Sequence, residues 1–415
     1  MQTPNSAANE ILANISPLQP ERVPISRALG LVLGEDVVSP VNLPHWDNSA
    51  MDGYAVRAED VQGAPPHEFE IIEEIPAGAF PTKQVGPGQS ARIFTGAPTP
   101  SGADTVIRQE DTTRLDETHV RVDDTRDAGR NVRKKAEDVQ QGDTVLHQGT
   151  PLEAAALGML ASVACFDVAA HRRPVVAILG SGDEIAGEDE RDAILSGQKI
   201  ASSNTYTLAA LIERTGAEVL NLGVAKDDPD DLRARMLHAA PADLIVTTAG
   251  ISVGEHDFLH QVLDDLHLDK KFWRIRMRPG APVGFGLVGD LNATPWIGLP
   301  GNPVSTMVTF ELFVRPAIRK MLGHTKVFRA VTTVVAAEPI TLGAPLRHFL
   351  RVKLTGDPSR PDAHLTGPQG SGILSSMLYA DALAIVSEDQ SEVHVGGELQ
   401  AIVLDDHRHV ESCPW

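Results

Sequence analysis

Between residues 174 and 322, apolar strand patterns alternate with amphipathic helix patterns, and this alternation constrains the fold more than any other feature. The run PVVAIL is apolar at every position, as expected for a parallel strand covered on both faces. Gly216 ends one helical pattern, and Asp228 with Pro229 begins the next. The alternation predicts an open α/β sheet whose binding loops follow the carboxyl ends of its strands.

An arginine-rich segment, FWRIRMRP at residues 272–279, is predicted as a further strand of this region. Side chains alternate faces along a strand, so one face would carry Arg274, Arg276 and Arg278. Three guanidinium groups on one face need solvent, carboxylate partners or an anionic ligand, and the sequence leaves these explanations open. The apolar run 304–322 that follows is predicted as one long helix with a kink at Pro316.

The flanking segments have a different texture. Residues 52–138 contain short β-like runs, including FEIIEEI, SARIF, DTVIRQEDT and HVRVDD. Helical patterns surround them, with a Gly-capped helix end in SRALGLVLGEDV and a helix in EAAALGMLASVACFDV. This predicts a β-rich domain, 52–138, inserted into a helical domain made of residues 1–51 and 139–172. Strand patterns return after Gly323 and predict a small β-barrel or sandwich over residues 326–415.

The composition excludes several classes of protein. The net charge of −20 repels nucleic acid and anionic lipid, so we expect neither as a partner. Cys165 and Cys413 are the only cysteines, which excludes a disulfide scaffold or a cysteine-based zinc site. The first residues do not have the pattern of a signal peptide, and no apolar run approaches the ~18–20 residues of a membrane helix. We therefore expect a cytoplasmic protein of about three domains.

Two loops that follow predicted strands carry acidic residues and glycines. In GSGDEI, Asp183 and Glu184 can hold Mg²⁺ or orient a water molecule, or the segment can be a tight turn before a capped helix. In TTAGISVGEHD, three small residues leave backbone N–H groups free to bind phosphate oxygens: Gly250, Ser252 and Gly254. Glu255 and Asp257 can contribute to that site or cap the following helix.

Three other segments combine glycine or proline with polar side chains. GLPGNPVS places Pro300 and Asn302 in a rigid loop before the long helix, a wall for a ligand or a purely structural turn. GRNVRKKAEDV contains four cationic residues and is a solvated patch or an anion contact. DNSAMDGYAV is read as an Asp-Gly turn with Tyr54 in the core, or as a loop that presents Asp52 to a site.

In their order along the chain, these segments resemble the molybdopterin molybdenumtransferase family, whose animal member is the C-terminal domain of gephyrin. The resemblance extends over nearly the whole chain. It rests on these motifs: DNSAMDGYAV, TGAPTPSGADTVIRQED, GRNVRKKAEDV, GSGDEI, SSNTYTLAALIERTGA, KDDPDDL, AGISVGEHD, FWRIRMRPG, GLPGNPVS and QGSGILSS.

The resemblance implies an elongated homodimer with four domains per subunit, of which residues 173–325 form the α/β molybdopterin-binding domain. It implies insertion of molybdate into adenylylated molybdopterin, with Mg²⁺ and release of AMP. Contact with the molybdopterin adenylyltransferase, which makes that substrate, is a further expectation.

Residue by residue, the resemblance assigns roles to matching positions. Mg²⁺ and the phosphates would be handled by Asp183, Glu184, Asp228 and Asp257. Phosphate donors would be Ser252 and Gly254. Arg274 and Arg278 stand where the family commonly has lysines, and Arg351 and Ser371 are similar to its oxyanion contacts. In the other domains, the family's functional acidic and hydroxyl positions match Asp52, Thr95 and Asp138, with Asp52 reaching the partner subunit's cleft.

Three departures from the family pattern bear on specificity and rate. Ala249 replaces a glycine, Ala281 replaces the lysine of a PGKP motif, and GSGDE replaces STGDE. Four alternatives remain at this stage: the molybdopterin adenylyltransferase, a gephyrin-like scaffold, a tungstate-inserting homologue, and a hydrolase of another nucleotide pyrophosphate. The intact acidic loops favour catalysis over a scaffold, and the segments outside the α/β region argue against the adenylyltransferase.

Overall fold

The computed structural model describes residues 1–250, 258–343 and 345–404. The chain divides into two compact units. The large unit comprises Met1–Glu21, Gly30–Gly34 and the chain from Ala170 onward, and the small unit comprises Arg22–Leu29 and Glu35–Ala169. In the ranges that the structure describes, no helix is both long enough and apolar enough to cross a membrane.

The first 51 residues form one α-helix and four short strands: α1 Pro4–Ala13, β1 Pro20–Pro24, β2 Val32–Leu33, β3 Val37–Val38 and β4 Asn48–Ser49. The Thr3 hydroxyl accepts the Ser6 N–H at 3.2 Å and caps α1. The predicted helix end in SRALGLVLGEDV is wrong. Ile25–Arg27 form a single 3-10 turn, and Gly30, with φ 77°, redirects the chain into β2.

The small unit is built on a six-stranded sheet, as the β-like runs predicted. Its elements are β5 Gly53–Val56, β6 His67–Ile75, β7 Gln89–Ile93, β8 Thr105–Arg108, β9 Thr112–Arg114, β10 His119–Val122 and β11 Val132–Arg133. The six-stranded sheet has the order β8-β5-β7-β6-β10-β9, and β11 lies outside it. Tyr54, Val56, Phe69, Ile107 and Val120 form part of its core.

The chain enters and leaves this sheet along paired segments, which agrees with an inserted β-rich part. β4 pairs with β11, an isolated bridge joins Leu43 to Val139, and β3 pairs with β12 Thr144–Leu146. The chain continues through α2 Ala154–Ser162 and β13 Asp167–His171. The segments predicted as helical, 1–51 and 139–172, thus contain two α-helices, α1 and α2, and short strands elsewhere.

The α/β part of the large unit has the predicted open sheet, in the order β17-β14-β18-β22-β21-β19. The first four strands are parallel, and β21 pairs antiparallel with both of its neighbours, β22 and β19. Its elements are β14 Val175–Ser181, β15 Ile185–Ala186, α3 Arg191–Leu195, β16 Ile200–Ala201, α4 Ser203–Thr215, β17 Glu218–Ala225, α5 Pro229–Leu237, β18 Leu244–Thr248, α6 Phe258–Asp265, β19 Leu268–Phe272, β20 Met277–Arg278, β21 Gly284–Val288, β22 Thr294–Leu299, α7 Pro303–Thr309 and α8 Arg315–Met321.

The register brings the carboxyl ends of the four parallel strands to one edge. Ser181 lies opposite Ala225, and Thr248 lies opposite both Gly180 and Leu299. The loops that begin near residues 182, 226, 249 and 300 therefore start side by side, as expected for a ligand-binding edge.

Two predicted elements of this region differ from the structure. Residues 272–279 are not one strand: β19 ends at Phe272 because the next N–H groups turn away, with Ile275 donating to Ala281 O at 2.8 Å and Arg276 donating to Gln2 O at 2.8 Å. The long helix is interrupted before Pro316, by the π-helical turn Phe310–Val314. There Arg315 N–H reaches back five residues to Phe310 O, so Pro316 falls in the first turn of α8, where its missing N–H is tolerated.

The C-terminal strands close into a barrel, which decides between the predicted barrel and sandwich. Its elements are β23 Val331–Ala336, β24 Ile340–Thr341, β25 Arg347–Thr355, β26 Asp362–Leu365, α9 Leu374–Leu378, β27 Ala382–Val386, β28 Glu392–Val393 and β29 Glu398–Val403. The order β25-β26-β23-β29-β27 closes through direct pairing of β25 with β27. β20 joins β25 from outside, so the arginine segment is fixed to the barrel at Arg278 and His348.

Candidate functional site

The turn after β14 carries two neighbouring carboxylates. Asp183 and Glu184 are exposed, and Asp183 Oδ1 accepts the Asp227 N–H at 3.2 Å. Glu184 folds back over Gly182, where a Cβ would lie 2.7 Å from Glu184 Oε2. Gly182, with φ 136°, therefore allows the two acidic groups to share one tight turn. The turn is followed by β15, paired with β16, and not by the capped helix that was the structural alternative.

A cleft of about 690 Å³ opens beside this turn, within the size range of small-molecule sites. Its walls are Gly182 and Asp183, the segment after β15, the amino end of α4 and the carboxyl end of β17. Lys199 pairs with Glu190 at 2.7 Å across one wall. The Tyr206 hydroxyl donates to Glu188 at 2.5 Å, and this bond raises the pKa of Tyr206.

Asp228 follows Asp227, whose N–H bonds Asp183, but the Asp228 carboxylate itself caps a helix. Its Oδ1 accepts the N–H groups of Asp230 at 3.0 Å and Asp231 at 2.9 Å, so it caps α5 as the sequence predicted. Asp183, Glu184 and the Asp228 loop thus lie together at the ends of β14 and β17, and the metal role of Asp228 stays a prediction.

The loops after β18 and β22 meet on the other side of β14. Ala249 N–H donates to Leu299 O at 3.2 Å, and a Cβ on Gly301 would lie 3.2 Å from the Ala249 Cβ. Ala249 and Gly250 both have left-handed φ, 69° and 68°. The predicted phosphate and metal residues that follow, Ser252, Gly254 and Asp257, lie outside the described residues.

The loop carrying Pro300 and Asn302 is braced from several directions. Thr306 Oγ1 donates to Pro300 O at 2.6 Å, and Asn204, at the amino end of α4, donates to Gly301 O at 2.8 Å. Val304 N–H donates to Ser371 O at 3.1 Å, which attaches the predicted barrel loop to the start of α7. The structure therefore brings Pro300, Asn302 and Ser371 together.

Arg351 was predicted as an oxyanion contact, and the structure gives it other partners. It is 1% exposed, its Nε donates to Ser376 Oγ at 3.1 Å, and its Nη2 donates to Gly370 O at 3.0 Å. Burial lowers the pKa of Arg351 to about 10. In this conformation Arg351 holds the 370–371 loop through its bonds to Ser376 and Gly370 and presents no exposed guanidinium to a ligand.

The arginine face predicted from alternation is present although the segment is not one strand. Arg274, Arg276 and Arg278 are exposed, whereas Ile275 and Met277 are buried. Among the described residues, no carboxylate forms an ion pair with Arg274 or Arg278. The segment packs closely against α7 at Gly280, where a Cβ would lie 2.4 Å from Thr309 Cγ2.

In the small unit, Asp52 and Thr95 lie together. Asp52 Oδ1 accepts the Thr95 N–H at 2.8 Å and its hydroxyl at 2.7 Å, and these bonds lower the pKa of Asp52. Gly53 is required next to it, because a Cβ would lie 1.9 Å from Ile107 O. Tyr54 is buried, so the turn is both a packing element and a platform that exposes a polar pair. Asp138 is exposed, with its N–H donating to Leu43 O at 3.0 Å.

Sequence reasoning missed most residues of the cleft wall: Glu188, Lys199, Ser202, Thr205, Tyr206 and Lys226. The available signal was the polar run SSNTY, which was read only as the start of a helix. Across the described ranges, no three acidic, histidine or cysteine side chains converge as a preformed metal site.

Comparisons with known proteins agree with this architecture. The family model of the MoeA N-terminal region (domain I and II) matches residues 3–164, that of a probable molybdopterin binding domain matches 177–320, and that of the MoeA C-terminal region (domain IV) matches 333–404. A molybdopterin molybdenumtransferase of a Nostoc species is 41% identical over 92% of this chain and 88% of its own length.

A molybdopterin molybdenumtransferase of Haemophilus influenzae is 32% identical over 99% of this chain and 100% of its own length. Among solved structures, the molybdopterin biosynthesis MoeA protein of Pyrococcus horikoshii OT3 is similar, with a TM-score of 0.82 and 28% identity. The match covers 97% of this chain and 100% of that one.

Proposed function

Because this chain belongs to the molybdopterin molybdenumtransferase family and inserts molybdenum during molybdenum cofactor biosynthesis, we propose that its substrates are adenylylated molybdopterin and molybdate, and that it releases AMP. One observation carries the proposal: a cleft of about 690 Å³ lies at the carboxyl edge of the sheet, against the Asp183–Glu184 turn. A ligand with both a pterin ring and a pyrophosphate needs such a cleft beside groups that manage phosphate charge.

The residues of the turn fit Mg²⁺. This ion prefers carboxylate oxygens and is commonly bound by one or two carboxylates together with substrate phosphates and waters, so a preformed protein cage is not needed. Asp183 and Glu184 would hold it, and Asp228 and Asp257 are the other proposed ligands. When bound, Mg²⁺ supplies charge stabilisation to the phosphates.

The chain's own groups would orient the ligand. Water cleaves the pyrophosphate P–O–P link, so that AMP leaves with one phosphate and molybdopterin keeps the other. The exposed Arg274 and Arg278 offer charge-assisted bonds to an oxyanion such as molybdate. The loop bearing Pro300 and Asn302 is fixed by α4 and by the barrel, and would form a rigid wall.

We also propose a cytoplasmic homodimer that receives its substrate from the molybdopterin adenylyltransferase. The family resemblance supports this proposal, with Asp52, Thr95 and Asp138 as the polar groups that the small unit contributes.

The test is incubation of the full chain with adenylylated molybdopterin, Mg²⁺ and either molybdate or tungstate. AMP is measured by chromatography and cofactor by activation of a molybdenum-free apoenzyme. We expect AMP and active cofactor in equal amounts with molybdate. Adenylylation of molybdopterin from ATP without later cleavage would overturn the proposal. Active cofactor formed with tungstate but not with molybdate would overturn the assignment of molybdate as the substrate.

Asp183→Asn provides a matched variant, because an amide oxygen can still accept the Asp227 N–H while the charge is lost. We expect AMP release to fall at least about tenfold. Asp389→Asn, an exposed aspartate outside the cleft, is the control and is expected to stay within about twofold.

A further inference from the structure

Lys226 lies at the carboxyl end of β17 and lines the cleft. Both of its neighbours in the chain are bonded to the acidic turn: Gly182 N–H donates to Ala225 O at 3.2 Å, and Asp227 N–H donates to Asp183 Oδ1 at 3.2 Å. The Lys226 backbone is therefore fixed against the turn that is proposed to manage phosphate charge.

The other cations of the cleft wall are already neutralised by carboxylates. Lys199 pairs with Glu190 at 2.7 Å. Arg235 pairs with Asp231 at 3.0 Å and donates to Leu222 O at 2.7 Å. Lys226 donates its backbone N–H to Asp231 at 2.9 Å, but within the described part of the chain its ammonium group forms no ion pair.

The remaining charge of the wall is negative. Asp183, Glu188 and Asp189 line the same cleft. A pyrophosphate-bearing ligand that enters this cleft meets carboxylates of its own sign, so at least one cation must offset them. An ammonium group on a flexible four-carbon chain can follow a phosphate as a point charge with three donors.

We propose that Lys226 binds a phosphate group of the ligand and is a substrate-binding residue of this enzyme. The inference rests on the proposed function, because it names a contact of the same cleft.

Two neighbouring carboxylates compete for the ammonium: Asp231, which accepts the Lys226 N–H, and Asp183, which accepts the Asp227 N–H. If Lys226 served only to neutralise one of them, its loss would change the local structure or the metal dependence, but not the affinity for phosphate. The two roles therefore separate in a comparison of KM with the Mg²⁺ requirement.

The experiment compares wild type, Lys226→Met and Lys226→Arg, with Lys353→Met on β25 as a control that removes an exposed lysine outside the cleft. AMP release from adenylylated molybdopterin is measured over a range of substrate and KCl concentrations. For Lys226→Met we expect KM to rise about 10- to 100-fold with kcat within about threefold, and the salt dependence of KM to flatten. Lys226→Arg should stay within about fivefold of wild type in KM, and Lys353→Met should match it.

A Lys226→Met enzyme with wild-type KM and wild-type salt dependence would overturn the inference while leaving the proposed function intact. An altered Mg²⁺ requirement with unchanged KM would overturn it in favour of pairing with Asp183. A wild-type protein that binds adenylylated molybdopterin but releases no AMP would overturn the proposed function; the Lys226 contact would then be judged by the dissociation constants of the same variants. Circular dichroism of each variant identifies any loss of fold. If Lys226→Met is unfolded, the KM of Lys226→Arg is compared with that of wild type instead.

Discussion

Gly280→Ala tests whether the arginine segment is fixed in place by α7. Gly280 follows Arg278 by two residues and has a φ of 97°, a conformation that alanine adopts with strain. A Cβ at this position would also lie 2.4 Å from Thr309 Cγ2, and Thr309 is fully buried. The substitution therefore combines backbone strain with a steric clash.

The two effects can be estimated separately. A non-glycine residue in the left-handed region costs about 1–2 kcal/mol, and an overpacked buried contact costs about 1–3 kcal/mol. We expect Gly280→Ala to lower the free energy of unfolding of the large unit by about 2–5 kcal/mol. Displacement of Arg278 should reduce AMP release by a larger factor than the loss of folded protein explains.

Thr309→Ser isolates the clash, because it removes Cγ2 but keeps the hydroxyl that donates to Ser305 O at 2.7 Å. Urea unfolding followed by tryptophan fluorescence gives the four stabilities of the double-mutant cycle. In the Thr309→Ser background, Gly280→Ala should cost only the strain of about 1–2 kcal/mol. An equal cost in both backgrounds would refute the steric account and leave only the backbone conformation as the cause.

Three further changes have defined outcomes. Burial, with Arg319 and Arg315 nearby, lowers the pKa of His324 to about 4. Between pH 6.5 and 4 the unfolded chain therefore binds a proton that the folded chain does not, and the free energy of unfolding should fall by about 2–3 kcal/mol as the pH is lowered through this window. His324→Gln should reduce this loss in urea titrations. Arg351→Met removes two charge-assisted bonds, which destabilises the fold, and also removes a buried charge, which partly offsets that loss. We expect a net destabilisation of about 1–2 kcal/mol and at least tenfold slower AMP release. Full activity would contradict the role of Arg351 in holding the 370–371 loop. Ala249→Gly relieves the φ of 69° and should stabilise the large unit by about 0.5–1 kcal/mol in thermal unfolding.

The fold was predictable where one period dominated the sequence. PVVAIL and its partner strands alternate with well-capped helices, and Gly216 and Asp228 end and begin helices as their backbone chemistry requires. Prediction failed where tertiary hydrogen bonds decide the backbone. Arg276 N–H donates to Gln2 O, a residue that no local window around 272–279 contains. The strands β19 and β21 were also missed. In β21, glycines interrupt the apolar pattern by which a strand is recognised.

The candidate site was predictable in its motifs but not in its walls. Asp183, Glu184 and Gly182 are adjacent in the sequence and remain adjacent in space. Lys226 and Tyr206 are 43 and 23 residues from Asp183, and only the strand order brings them to the same cleft. Arg351 shows the opposite limit, since its sequence context does not reveal that its guanidinium is buried and bonded to Ser376 and Gly370.

The strand order explains why the acidic turn lies where it does. In the order β17-β14-β18-β22, the chain continues from β14 to its neighbour on one side, β17, and then crosses to its neighbour on the other side, β18. The connections therefore diverge between β14 and β18, where open α/β sheets bind their ligands. The turn at 182–184 follows β14 and therefore lies between the loop at 249–250 and Lys226, which directly follows β17. A ligand that contacts both must cross this turn, which places Asp183 and Glu184 against the middle of the ligand. A pyrophosphate link at that position would meet the carboxylates proposed to bind Mg²⁺ together with the cation proposed to bind phosphate, which is the arrangement that cleavage of the link requires.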